Sequence, residues 1–225
     1  MGKTRKENHV IITGSTGMVG EGVLIQCLNS PEINSVLVVN RKSCGYTHPK
    51  LKEIIHQDFF NFSAIENQLT GYNACFFCLG ITSVGASDEV YYKMTYTLTI
   101  HVAEILSKLN NDMTFCYVSG SGTNENGRLN WQKVKGKTES DLMKLPFAQV
   151  FNFRPGFIKP IEGQKFAHKF YKYINWMFPI GRKLFPNGFC KMTELGDAMI
   201  NTLSHNDERK ALEGKDIIAL ANEPS

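Results

Sequence analysis

The sequence lacks a long apolar run. None of its 225 residues falls in a segment near the roughly 20 apolar positions that a membrane-crossing helix needs. Met1 to Asn8 is basic and polar, and Val10-Ile11-Ile12 behind it is too short for a signal-peptide core. Charge of one sign is also missing. The 25 Lys and Arg stand against 21 Asp and Glu, for a formal charge of +4. They are scattered along the chain, which argues against a nucleic-acid face, since such faces concentrate cations. There is no cysteine framework either. Of six cysteines, only Cys75 and Cys78 form a C-x-x-C, inside the apolar run Ala74-Cys75-Phe76-Phe77-Cys78-Leu79. Strand periodicity turns those two thiols to opposite faces, so no zinc or redox pair and no metal is expected there. Unpaired thiols suit a reducing environment, and a cytoplasmic location is the expectation. No internal repeat or low-complexity linker is visible.

What is present is a globular composition: 42% hydrophobic and 20% charged residues, enough to bury the core of one domain over residues 1–225. β-branched runs alternate with helical patterns. Strands are predicted at His9–Thr13, Ser35–Val39, Ile54–His56, Ala74–Leu79, Phe115–Ser119 and Gln149–Phe153. Helices are predicted at Val19–Leu28, at Ser63–Leu69 with Ser63 as N-cap, at Ser87–Leu109, and at Trp131–Leu145. Strands separated by helices imply an α/β fold, a Rossmann-type doubly wound parallel sheet with right-handed crossovers. After Pro155 the pattern changes. Residues 157–225 read as a small C-terminal helical substrate cap, with a helix at Thr193–Leu203 capped by Thr193 and a late strand at Asp216–Leu220.

The chemistry-bearing signal is the turn Thr13-Gly14-Ser15-Thr16-Gly17-Met18-Val19-Gly20, between the first strand and the first helix. Gly14 permits a tight turn, Gly17 lets a pyrophosphate approach the backbone, and Gly20 lets the helix pack on the sheet. Backbone amides at the helix N-terminus then meet the phosphates. This context makes a nicotinamide dinucleotide the expected cofactor. Dinucleotide sites selective for NAD place an acid at the end of the second strand. Here Val38-Val39 is followed by Asn40-Arg41-Lys42, so NADP is expected over NAD, with Arg41 pairing with a 2′-phosphate. Asp58-Phe59, past the third strand, is a candidate adenine contact; a turn aspartate is the plain alternative for Asp58.

Further motifs follow in order: Cys78-Leu79-Gly80-Ile81-Thr82, Tyr117-Val118-Ser119-Gly120-Ser121, Val134-Lys135-Gly136-Lys137-Thr138-Glu139 and Phe153-Arg154-Pro155-Gly156. With the glycine turn and Asn40-Arg41-Lys42, this set resembles the atypical short-chain dehydrogenase/reductase superfamily over residues 9 to 160. More narrowly, it resembles the NAD(P)H-binding branch of the Tat-interacting-protein-like oxidoreductases. The resemblance implies that Cys78, Leu79 and Gly80 line the cofactor and that Ser119 polarises the substrate. It also implies that Lys135 bonds the nicotinamide ribose, and that Pro155 and Gly156 pass beside the nicotinamide.

One position departs from that pattern. The superfamily's proton donor is a tyrosine four residues before the lysine, and here that residue is Trp131. An indole N–H offers a hydrogen bond but no acid–base chemistry. Three readings stand: an NADP-dependent oxidoreductase acting on an apolar carbonyl or quinone-like acceptor with another donor, such as Ser119, Ser121 or a distant tyrosine; a non-catalytic NADP-binding regulatory or redox-sensing module; and, behind these, a nucleotide-sugar epimerase. Tyr91, Tyr92 and Tyr96 read first as core packing. The aromatic and basic segment 164–178 fits one helix face through Phe166, Phe170, Tyr173 and Met177. It reads as a wall of an apolar substrate pocket, with a homodimer or membrane-surface contact as the second reading.

Overall fold

The computed structural model describes residues 7–167, 178–204 and 210–223. A seven-stranded, all-parallel sheet runs in the order β3-β2-β1-β4-β5-β6-β9. Its strands are β1 (His9–Thr13), β2 (Ser35–Asn40), β3 (Leu51–Ile55), β4 (Ala74–Phe77), β5 (Thr114–Val118), β6 (Gln149–Arg154) and β9 (Ala211–Glu213). A second, two-stranded parallel sheet pairs β7 (Phe157–Lys159) with β8 (Phe189–Lys191). The described helices are α1 (Met18–Asn29), α2 (Asp88–Tyr92), α3 (Leu98–Leu109), α4 (Asn130–Leu142), α5 (Phe178–Leu184), α6 (Met192–Asn201) and α7 (Gly214–Ala221).

Strand alternation builds two cores, one on each face. Val10, Ile12, Val36, Val38, Phe76 and Phe153 bury against Val23 and Leu24 of α1, Leu195 and Met199 of α6, and Ile217 of α7. Ile11, Leu37, Val39, Phe77, Phe115 and Tyr117 bury against Leu98, Val102 and Leu106 of α3. Both faces being covered is why the strands read as continuous apolar runs. The C-x-x-C is divided as its spacing requires: Cys75 lies in the second core and Cys78 packs against the first. The expected α/β doubly wound fold is therefore the observed one.

Several expected elements differ. The third strand begins three residues earlier than expected, at Leu51, and α4 ends three earlier, at Leu142. Ser63–Leu69 holds only a single 3₁₀ turn, Glu66–Gln68, and Ser63 caps nothing. Its amide and hydroxyl both donate to Asn61 Oδ1, at 3.1 and 2.7 Å, while Phe62, Ile65 and Leu69 bury the segment irregularly. Asp216–Leu220 is helix rather than strand. Asp216 Oδ2 accepts the Glu213 amide and Ile217 and Leu220 bury one helical face; the strand lies just before, at Ala211–Glu213. The helix expected to begin at Thr193 begins at Met192, where Glu194 reaches back to the Lys191 amide at 2.8 Å. The helix expected over Ser87–Leu109 is interrupted by a π turn at Lys93–Thr97. There the Thr99 hydroxyl takes up the Thr95 carbonyl at 2.6 Å, a back-bond that perturbs the ladder. Of the aromatic segment expected as a helix, residues 168–177 lie outside the described residues.

Candidate dinucleotide cleft and its neighbouring lysine

The turn after β1 is shaped by what surrounds each glycine. Gly14 has φ +73°, and a Cβ there would stand 2.7 Å from the Cys78 carbonyl oxygen at the exit of β4. A Cβ on Gly20 would overlap the Gly14 carbonyl. Gly17 is different. It is exposed, and the nearest atom to an added Cβ would be Gly14 O at an ordinary 3.5 Å. Among the described residues, nothing requires glycine at position 17. Gly17 is also the N-cap of α1 and supplies no side-chain cap. The first amides of α1 are thus left for a ligand, whereas α2 is capped by Ser87.

These groups border a cleft of about 190 Å³ at the carboxyl ends of the strands. The β1 exit contributes Gly14, Thr16 and Gly17; the β2 exit contributes Val39, Asn40 and Arg41; Phe59 and then Cys78, Leu79 and Gly80 complete it. All but Val39 were singled out in the sequence. The cleft lies beside the boundary between β1 and β4, whose following helices α1 and α3 cover opposite faces of the sheet, the general position for ligands in open α/β sheets.

The remaining singled-out residues stand around this cleft. Ser15 is fully buried and Asn40 nearly so. The Asn40 amide donates to Ser15 Oγ at 2.8 Å and to Glu53 Oε1 at 3.1 Å. Asn40 therefore ties the glycine turn to β3, and its side chain faces inward. Glu53 also accepts the Cys44 amide and the Ser43 hydroxyl. Burial opposes its charge, but these hydrogen bonds outweigh it and hold the carboxyl below its ordinary value. Arg41 is exposed at the cleft rim, with no carboxylate partner among the described residues. Lys42 lies over the Phe166 ring, 5.7 Å from its centre. Asp58 Oδ1 accepts the Phe60 amide at 2.9 Å, a turn role. Met18 and Val19 pack against the first core. Burial pushes the Cys78 thiol well above its ordinary value.

A second group gathers at the exits of β5 and β6. The Ser119 amide donates to Phe153 O at 2.7 Å and the Ser121 amide to Pro155 O at 2.9 Å. Ser119 Oγ and Thr123 Oγ1 are 3.0 Å apart, and Thr123 donates to Gly120 O. Lys135, one turn into α4, donates from Nζ to Ser119 O at 2.7 Å. Burial lowers its ammonium to about 8, with the Glu139 carboxylate opposing. Glu139 itself accepts Arg154 Nε at 3.1 Å, and Arg154 reaches on to Glu213 at 3.3 Å. Trp131 is partly buried with its ring against the loop; a Cβ on Gly122 would stand 3.4 Å from its Cη2. Pro155 is buried, and Gly156 abuts the Gly188 backbone. Tyr91 is buried, while the Tyr96 hydroxyl donates to Asp141 at 2.7 Å.

Sequence patterns did not single out Glu21. Glu21, in the first turn of α1, has no exposed surface. It accepts the Tyr46 hydroxyl at 2.6 Å and the amides of Lys165 and Phe166 at 2.6 and 2.7 Å. It anchors the strap 161–166 on the glycine-turn helix, and Gln164 adds a bond to Met18 O. The available signal was an acid directly after Gly20, at the start of the buried helix face. Thr123 carried no such signal, and Glu139 stood only as the last residue of the motif around Lys135.

No family model matches the chain. Among curated proteins, it is similar to "Protein FMP52, mitochondrial" of Saccharomyces cerevisiae, 25% identical over 157 residues, 69% of this chain and 66% of that protein. "Protein FMP52-2, mitochondrial" of Scheffersomyces stipitis is 31% identical over 150 residues, 65% of each chain. The chain thus covers slightly less than two thirds of these relatives' length. Solved structures share the fold. UDP-N-acetylglucosamine 4-epimerase of Methanobrevibacter ruminantium M1 superposes with TM-score 0.65 at 18% identity, over 92% of this chain and 76% of that one. ADP-L-glycero-D-manno-heptose-6-epimerase of Helicobacter pylori gives 0.66 at 13%, over 98% and 83%. MoeE5 in complex with UDP-glucuronic acid and NAD gives 0.68 at 15%, over 95% and 81%. The fold is that of the dinucleotide-binding epimerases and dehydrogenases. The relatives' mitochondrial names overturn the cytoplasmic expectation: free thiols report a reducing environment, which does not identify a compartment.

Proposed function

We propose that this chain binds NADP in the manner of the atypical short-chain dehydrogenases/reductases, in the branch resembling the Tat-interacting-protein-like oxidoreductases. Its reaction would be reduction of an apolar carbonyl or quinone-like acceptor. The observation that carries the reading is Gly17: an exposed glycine, free of internal constraint, caps a helix whose first amides face a cleft bordered by Arg41. A pyrophosphate fits the open amides, and a 2′-phosphate fits the guanidinium. Ser119 and Lys135 stand at the β5 exit on the other side of Cys78–Gly80, in order for the nicotinamide end. A bound reduced nicotinamide supplies hydride; the chain's own residues orient it, exclude water and manage the proton. The acceptor side is assigned to the cap that follows Gly156, and the compartment to the mitochondrion.

A second reading, a non-catalytic NADP-binding module, is favoured by Trp131. Nucleotide-sugar epimerisation, the activity named for two of the structural neighbours, is disfavoured by the same residue, because it requires an acid–base group there.

The test is thermal unfolding with each dinucleotide at equal concentration. NADPH is expected to raise Tm more than NADH, by ligand linkage, and Arg41→Ala to remove the difference. Equal shifts, or a larger one with NADH, overturn the NADP assignment.

A further inference from the structure

The absence of a tyrosine beside Lys135 raises the question of which group handles the proton. Among the described residues, the phenols are accounted for elsewhere. Tyr46 donates to Glu21 and Tyr96 to Asp141, Tyr91 and Tyr117 are buried, Tyr92 is stacked on Tyr96 with ring centres 4.9 Å apart, and Tyr72 precedes β4 at the opposite, amino edge of the sheet. The hydroxyls of Ser119 and Thr123 are bonded to each other, and Thr123 also donates to Gly120 O. Hydroxyls of this kind bond an oxygen but are poor acids near neutral pH.

Lys135 differs from all of these. An ammonium has three N–H donors, and one is engaged with Ser119 O. The nearby carboxylate, Glu139, is held by Arg154, which is itself shared with Glu213. The Lys135 side chain is thus part-buried, tied by one bond to the substrate-side loop, and its neighbouring acid is diverted to another cation. The charged group acting on it is Glu139 on its own helix, which is bound by Arg154 of β6 and through it linked to Glu213 at the end of β9. Resting on the proposed NADP-dependent reduction, we infer that Lys135 is itself the proton donor of this chain, in the place the superfamily gives to tyrosine.

The step balances. The acceptor carbon takes hydride from the reduced nicotinamide dinucleotide, and the C=O π pair moves to oxygen. That oxygen takes a proton from Lys135 Nζ. The resulting neutral amine regains a proton from water. Ser119 Oγ bonds the acceptor oxygen and holds it at the ammonium. An ammonium titrating near 8 is well matched to this task at neutral pH, where a free lysine near 10.4 is not. The donor must be protonated, so activity is full below that value and falls as pH rises through it.

The experiment has three readouts on the full chain: NADPH binding by fluorescence, the ¹⁵N titration of Lys135 Nζ by NMR, and the pH profile of kcat/KM over a panel of apolar ketones and quinones. The inference expects Lys135 to titrate near pH 8 and the rate to fall about tenfold per pH unit above the same midpoint. Lys135→Arg should move that fall above pH 10. Lys135→Met loses the ribose bond and should weaken NADPH binding, so the variant is compared at saturating NADPH, where kcat should drop at least 100-fold, the scale of a lost general acid. A fall that Lys135→Arg does not move, or a Lys135→Met variant with unchanged kcat, overturns the proton-donor role. Tight NADPH binding with no turnover on any acceptor overturns it as well and leaves the cofactor reading standing. Failure to bind NADPH overturns both.

Discussion

Gly17 and Gly20 belong to one motif but answer to different forces. A Cβ on Gly20 meets the Gly14 carbonyl, whereas one on Gly17 meets only ordinary contact. Gly20→Ala should therefore destabilise the fold, by roughly 1–3 kcal/mol as overpacking does, read as a lower urea midpoint. Gly17→Ala should leave the midpoint within about 0.5 kcal/mol and weaken NADPH binding at least tenfold. An equal loss of stability in both variants would show that Gly17 is a packing glycine. The motif's spacing was legible because it is local, three glycines in seven residues between a strand and a helix. Which glycine serves the fold and which serves a ligand was not, since that depends on the Gly14 and Cys78 carbonyls.

At the scale of elements, the strap 161–166 joins helix α6 in holding the later chain on the first helix. Its main anchor is Glu21, which accepts the amides of Lys165 and Phe166 as well as the Tyr46 hydroxyl, with Gln164 adding a bond to Met18 O. Glu21→Gln replaces an acceptor oxygen with an amide donor that faces N–H groups. A loss of roughly 1–3 kcal/mol is expected, with faster hydrogen exchange at 164–166. Unchanged exchange there would remove Glu21 from this role. No periodicity announces such an anchor, because its partners lie 25, 144 and 145 positions away. The π turn at Lys93–Thr97 and the 3₁₀ turn at Glu66–Gln68 were hidden for a related reason. Both segments carry apolar residues at helix-compatible positions, and side-chain hydrogen bonds decided the local backbone.

At the scale of the molecule, Arg154 joins three parts: β6, where it stands, α4 through Glu139, and β9 through Glu213. Glu139 is nearly buried, with side-chain exposure of 7%. Arg154→Met leaves it without its cation, at a cost of about 3–5 kcal/mol. The freed carboxylate should also favour the Lys135 ammonium, moving its titration above 8. Denaturation and the ¹⁵N titration would check the two effects together; a stable variant with an unmoved titration would refute the linkage.

The sequence by itself determined the alternating strands and helices, the glycine turn, and the cations after β2, because each is written within a few consecutive residues and follows from backbone periodicity or sterics. It also exposed Trp131, by a fixed spacing from Lys135. Only the tertiary structure decided where these meet. Parallel pairing brings the exits of β1, β2 and β4 to one cleft and those of β5 and β6 beside it. Burial lowers Lys135, Arg154 draws Glu139 aside, and the Glu21 anchor closes the strap. Each of these depends on desolvation and on partners distant in the chain, which no local pattern encodes.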